Sequence, residues 1–170
     1  MSGRTLTSGE ITLAKQLYKD SIDYDKVKIH NESYLPFDMQ RDNVAMTPNG
    51  EMYYMKNTYE PDFSLAGINQ QHLFMHEMMH VWQHQKEYMV RTRGLFSGVV
   101  SYYYDLDGSL LKSYPMEQQA CIVSDYWLLS NYTINDWINY RNYKGKFSLS
   151  DIEGLKQKYV KILGKFPYSD

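Results

Sequence analysis

The sequence predicts an α+β fold: a small N-terminal antiparallel sheet or hairpin packed on a central helix, with further helices toward the C-terminus. Three observations carry this expectation. Val27 and Ile29 alternate with lysines, as in a half-buried strand. Asn49-Gly50 separates two short apolar runs, a strong hairpin signal. From residue 69 onward the apolar residues recur mainly at helical spacing.

The elements follow in order. Thr7-x-x-Glu10 reads as a capping box, and Ile11, Ala14, Leu17, Tyr18 and Ile22 continue it at helical spacing, which predicts a helix over 8–20. Tyr24–His30 is the alternating strand, and 31–42, with Pro36, is a loop. Asn43–Thr47 and Glu51–Met55 form the arms of the hairpin around Pro48-Asn49-Gly50. Residues 56–66 hold Pro61 and turn formers, with a short strand at 63–66. A long helix spans 69–88, capped by Asn69. Leu73, Phe74, Met75, Met78, Met79, Val81 and Trp82 cover most of its circumference, so it is buried. Gly94 and Gly98 end that region, 99–106 reads as a strand, and Asp107-Gly108 turns into Ser109–Ser113.

Pro115 suits the first position of a helix over 115–131, with Met116, Ala120, Val123 and Trp127 as its apolar stripe. Thr133–Asp136 caps a short helix at 134–142. Ser150-x-x-Glu153 is a further capping box, and Ile152, Leu155, Tyr159 and Ile162 make an amphipathic face that ends at Gly164.

Composition bounds the function. The 170 residues suit a single domain spanning 1–170, and 43% apolar with 22% charged residues excludes a disordered chain. A net charge of −2 argues against a nucleic-acid partner. One cysteine excludes an internal disulfide framework. No apolar run approaches the 18 or so residues of a membrane span, and MSGRTLTSGE lacks the apolar core of a signal peptide.

The chemistry lies in His76-Glu77-Met78-Met79-His80, an H-E-x-x-H pattern within the long helix. Residues i and i+4 share one helix face about 6 Å apart along the axis. Two imidazoles so placed can hold one Zn²⁺ in adjacent tetrahedral positions. Glu77 is not a ligand in that geometry; it reaches the metal-activated water as general base. The extended pattern with Gly at 83 and His at 86 is excluded, because Gln83 and Lys86 stand there. His72 and His84 continue the row but are carried away along the axis, so they read as polar neighbours rather than ligands.

Catalytic zinc usually takes three protein ligands and keeps one open position. Glu117, in the first turn of the 115–131 helix, is the best candidate for the third; a first-turn acid also suits the helix dipole without any metal. Asp125, Asp105 and Asp107 are weaker alternatives, and Cys121 lies one turn from Glu117. Hydrolysis of an amide also needs an oxyanion donor, for which Tyr102, Tyr103, Tyr104 and Tyr114 are available without a choice among them.

These residues as a set suggest a family. Met75–Gln83 (MHEMMHVWQ), Gln85, Glu117-Gln118-Gln119-Ala120, and the earlier LTSGEI, DSIDYDKVKIH and TPNG resemble the zinc metallopeptidase toxin domain attached to Vgr- and Rhs-type proteins of type VI secretion systems, over about residues 4–130. The resemblance implies a zincin-like fold, Zn²⁺ as cofactor, His76, His80 and Glu117 as ligands and Glu77 as catalytic base. It further implies a protein or peptide substrate, a cognate immunity protein, a secretion spike or carrier, and delivery to the periplasm of target bacteria after synthesis in the cytoplasm. One departure stands out: many glutamate-type zincins carry E-x-x-x-D around the third ligand, and here Cys121 takes the aspartate's position. A housekeeping or phage-borne metallopeptidase, and a non-enzymatic zincin-scaffold binding module, are the alternative readings.

Overall fold

A computed structural model of the protein describes residues 3–36, 39–41, 43–87 and 101–168. The chain divides into two compact units, Met1–Thr92 and Arg93–Asp170. It is a mixed α+β protein with a four-stranded sheet, β1-β2-β4-β3, and five α-helices among the described residues.

In the first unit the strands are β1 (Arg4–Thr5), β2 (Lys28–His30), β3 (Ala45–Met46) and β4 (Met52–Tyr54), and the helices are α1 (Ser8–Tyr18) and α2 (Ile68–Gln85). The capping box that opens α1 forms in both directions: Glu10 N–H donates to Thr7 Oγ1 at 3.0 Å, and Thr7 N–H donates to Glu10 Oε1 at 2.9 Å. The fully buried Glu10 carboxylate also takes a two-pronged contact from the Arg4 guanidinium, both at 2.9 Å, and the Phe63 N–H at 2.8 Å. One side chain thus ties the first strand, the first helix and the approach to α2.

The hairpin expected around Pro48-Asn49-Gly50 is present, with Ala45 opposite Tyr54 and Met46 opposite Tyr53. An antiparallel sheet is expected, but the sheet is mixed, because β2 pairs with β4 in parallel, Ile29 beside Met52. The segment between β2 and β3 carries the chain past β4, so the second arm of the hairpin lies alongside β2 and the first arm takes the edge.

Two other expectations change. The strand expected over 24–30 begins only at Lys28, because Tyr24–Lys26 form a 3₁₀ turn that points the Tyr24 ring inward and lets its hydroxyl donate to Lys19 O. The strand expected at 63–66 is also a 3₁₀ turn: Asp62 Oδ1 accepts from both Ser64 N–H and Ser64 Oγ, and this local capping outcompetes extended backbone. Phe63 is fully buried there, between Tyr54 and Phe74.

α2 starts at Ile68 and takes its cap from Gly67, not from Asn69. Phe74, Met75, Met78, Met79 and Val81 are fully buried, as the apolar pattern predicts. α1 and β3 pack on α2, and the Tyr18 hydroxyl donates to Met75 O at 2.6 Å. At the far end of α2, the His84 ring lies over Gly50. Gly50 has φ +85°, and a Cβ built there would meet His84 Cδ2 at 2.5 Å. Gly50→Ala should therefore cost at least about 1 kcal/mol, through both the left-handed backbone and the crowding. A fall in the urea midpoint at constant m-value would register it.

The second unit holds α3 (Met116–Asn131), α4 (Ile134–Tyr140) and α5 (Ile152–Leu163), with α3 packed against the other two. Pro115 stands one position earlier than expected, as the cap residue with extended ψ. Thr133 and Asp136 close the expected capping box, but α4 ends at Tyr140. Asp151, not Ser150, caps α5 by accepting from Gly154 N–H at 2.9 Å, and Gly164 ends the helix at φ +56°. The strand expected over 99–106 is reduced, within the described residues, to a single parallel bridge from Tyr104 to Tyr143. Gly94, Gly98 and residues 99–100 lie outside the described residues.

The core of this unit is polar as well as aromatic. The fully buried Asp125 carboxylate accepts from Tyr104 Oη at 2.7 Å and from Asn142 N–H at 2.8 Å. Trp137 Nε1–H donates to Tyr159 Oη, which in turn pairs with Tyr104 Oη. No helix among the described residues is long and apolar enough to cross a membrane.

Candidate metal centre

The H-E-x-x-H residues occupy the middle of α2, where i and i+4 fall on one face. The His76 and His80 rings stand 5.2 Å apart between centroids, close to perpendicular. Both are largely or fully shielded from solvent, with His80 at 3% exposure. His80 Nδ1 lies 2.7 Å from the Gln83 amide oxygen. An amide oxygen can only accept, so this contact is a hydrogen bond for the Nδ1–H tautomer of His80.

Glu77 is buried beside them. Its Oε1 accepts from Thr47 Oγ1 at 2.7 Å, while Oε2 lies 3.8 Å from His76 Nε2. The carboxylate is thus divided: one oxygen is held by the hairpin loop, and the other lies toward the imidazoles. Glu117 sits in the first turn of α3 and is buried. Among the described residues, His76, His80 and Glu117 are the ones that together could hold a metal ion.

This donor set fits zinc. It consists of two neutral-capable imidazoles and one carboxylate, the composition of a catalytic site with an open position. The His80–Gln83 bond supports the fit independently, since a metal-binding histidine is normally oriented through its second ring nitrogen.

The other candidates do not join this group. The Asp125 carboxylate is engaged by Tyr104 and Asn142. Asp105 and Asp107 are exposed on the surface of their unit, and Cys121, although buried, is not in the cluster. His84 packs over Gly50, and His72 is not in the cluster either. Among the tyrosines, Tyr104 has its hydroxyl committed to the Asp125 network; burial, and then the Asp125 charge, push its ionisation well above the usual tyrosine value. Tyr114 is tied to Asp105 O and Asp107, and is pushed up to about 12, chiefly by burial. Tyr102 and Tyr103 are exposed. Sequence reasoning did not single out Thr47 as a partner of Glu77 or assign Gln83 a role. The i+3 spacing of Gln83 from His80 could have pointed to the second; no local signal points to the first.

No protein-family model matches the chain. The chain is 41% identical over 138 residues to the type VI secretion system spike protein VgrG2b of Pseudomonas aeruginosa strain PAO1, a match that covers 76% of the chain and 13% of that protein. Among solved structures it is similar to the effector domain of Pseudomonas aeruginosa VgrG2b, with a TM-score of 0.67 and 42% identity, over 76% of this chain and 75% of that one. The chain belongs to the family of the VgrG2b effector domain. As a VgrG2b-type effector domain it spans about an eighth of the length of the spike protein that it matches, consistent with the 13% overlap.

Proposed function

We propose that this VgrG2b-type domain is a zinc-dependent endopeptidase, and that it serves as an antibacterial type VI secretion effector in the periplasm of target cells. The observation that carries the enzymatic part is the pair of His76 and His80 rings, 5.2 Å apart on one face of α2 beside the buried Glu77, with Glu117 as a third residue able to hold the same ion. Family membership supports the secretion part, with a spike or carrier and an immunity protein as partners.

His76, His80 and Glu117 would hold the ion. A zinc ion there supplies a Lewis acid that polarises a carbonyl and lowers the pKa of water toward about 7. The chain's own contribution is proton transfer. Glu77 Oε2, on the imidazole side, takes the proton of the attacking water, and the same oxygen returns it to the leaving nitrogen. Thr47 holds Oε1 so that the carboxylate does not turn away. A hydrogen bond to a charged group contributes about 1.5–3 kcal/mol, so Thr47→Val should slow turnover by roughly ten- to a hundredfold with zinc content unchanged. Thr47→Ser should recover most of the loss, as a kcat comparison on one peptide substrate would show.

The decisive experiment measures metal and toxicity together. The purified chain should carry about one zinc, as a three-ligand catalytic site requires. Chelation should abolish cleavage of periplasmic proteins. Expression with a periplasmic export signal should be toxic, and expression without one should not. A metal-free chain, or toxicity that persists in Glu77→Ala at equal protein level, would overturn the proposal.

A further inference from the structure

The second histidine of the motif has an orienting partner that the motif itself does not supply. Gln83 is fully buried, one turn beyond His80 on α2, and its amide oxygen lies 2.7 Å from His80 Nδ1. A fully buried glutamine is costly unless its polar atoms are matched, so this contact is a fixed part of the helix face and not a surface accident. In neutral imidazole the two tautomers are close in energy, and a single acceptor at Nδ1 decides between them. An oxygen in that place favours the Nδ1–H tautomer, the one in which Nε2 carries the lone pair that a metal takes.

Resting on the reading of His76, His80 and Glu117 as a metal centre, we propose that Gln83 is the positioning residue that sets the tautomer and aim of His80 and thereby tightens zinc binding. Gln83 is the residue at which the chain departs from the extended H-E-x-x-H-x-x-G pattern, where glycine would stand. It could not be glycine here, since the side chain that glycine lacks is the one that holds His80. The acceptor is also a neutral amide and not a carboxylate, so it orients the ring without adding a negative charge behind it.

Two substitutions at position 83 separate this role from packing. Gln83→Met keeps length and shape but has no oxygen; Gln83→Glu keeps an oxygen acceptor. Both remove the amide N–H₂, so any contact made by that group is lost equally in the two. Zinc affinity, measured with Zn²⁺ alone by competition against a chelating dye, should fall roughly ten- to a hundredfold in Gln83→Met and hold or tighten in Gln83→Glu. In the metal-free parent, ¹⁵N spectra of the histidine rings, taken where imidazole is neutral, should show His80 as the Nδ1–H tautomer.

A parent protein that binds no zinc would overturn the metal centre and this role with it. A parent that binds zinc, with Gln83→Met binding equally well, would overturn the role of Gln83 alone. So would an Nε2–H tautomer for His80 in the parent, and that readout stands even if the methionine variant does not fold.

Discussion

Glu77→Gln should abolish peptide-bond cleavage while leaving the fold and the zinc content intact. Glutamine matches glutamate in size, and its amide oxygen can still accept from Thr47 Oγ1, the contact that holds Oε1 at 2.7 Å. What it lacks is a basic oxygen at the other prong, which in the parent lies 3.8 Å from His76 Nε2. A positioned general base contributes about 10²–10⁴-fold, so turnover should fall by at least that factor. The check is kcat on a peptide substrate alongside metal analysis and a thermal melt of the same sample. Turnover within a few-fold of the parent, with zinc bound, would remove Glu77 from the chemistry.

The largest effect expected on stability lies elsewhere, at Glu10. Its carboxylate accepts two bonds from Arg4, one from the Thr7 amide and one from the Phe63 amide. Glu10→Ala leaves the Arg4 charge without its carboxylate and two N–H groups without their acceptor. Removing one partner of a buried ion pair typically costs about 3–5 kcal/mol, and with the Arg4 side chain 25% exposed the loss should fall toward the lower end of that range. That is a large share of the roughly 5–15 kcal/mol by which domains are stable. Urea unfolding should therefore show a much lower midpoint. Glu10→Gln should be milder, because it retains an acceptor for the cap. A loss below about 1 kcal/mol in Glu10→Ala would mean that Arg4 and the freed amides find other partners or water.

Much of the site was legible because it is local. The H-E-x-x-H spacing needs only a helix to bring His76 and His80 together, and the apolar pattern from Leu73 to Trp82 supplies that helix. Thr7 with Glu10, and Thr133 with Asp136, close their capping boxes because three residues of backbone determine those distances. Errors arose where local rivals were close in energy. Asp62 and Tyr24 turned short apolar runs into 3₁₀ turns, and Asp151 displaced Ser150 as the cap of α5. In each case a side chain offered the backbone a hydrogen bond, or a burial site, that a count of alternating apolar residues does not register.

The sequence by itself determined where the helices lie, though not their ends, the hairpin at Gly50 and the pair of imidazoles with an adjacent carboxylate, since each rests on contacts between residues close together in the chain. Only the tertiary structure decided the parallel pairing of β2 with β4, the choice of Thr47 to hold Glu77 from 30 residues away, and the convergence of Glu10 with Phe63. The physical reason is the same throughout. Backbone geometry propagates over a turn or two, whereas contacts across long loops depend on which burial and hydrogen-bond arrangement of the whole core is lowest in free energy.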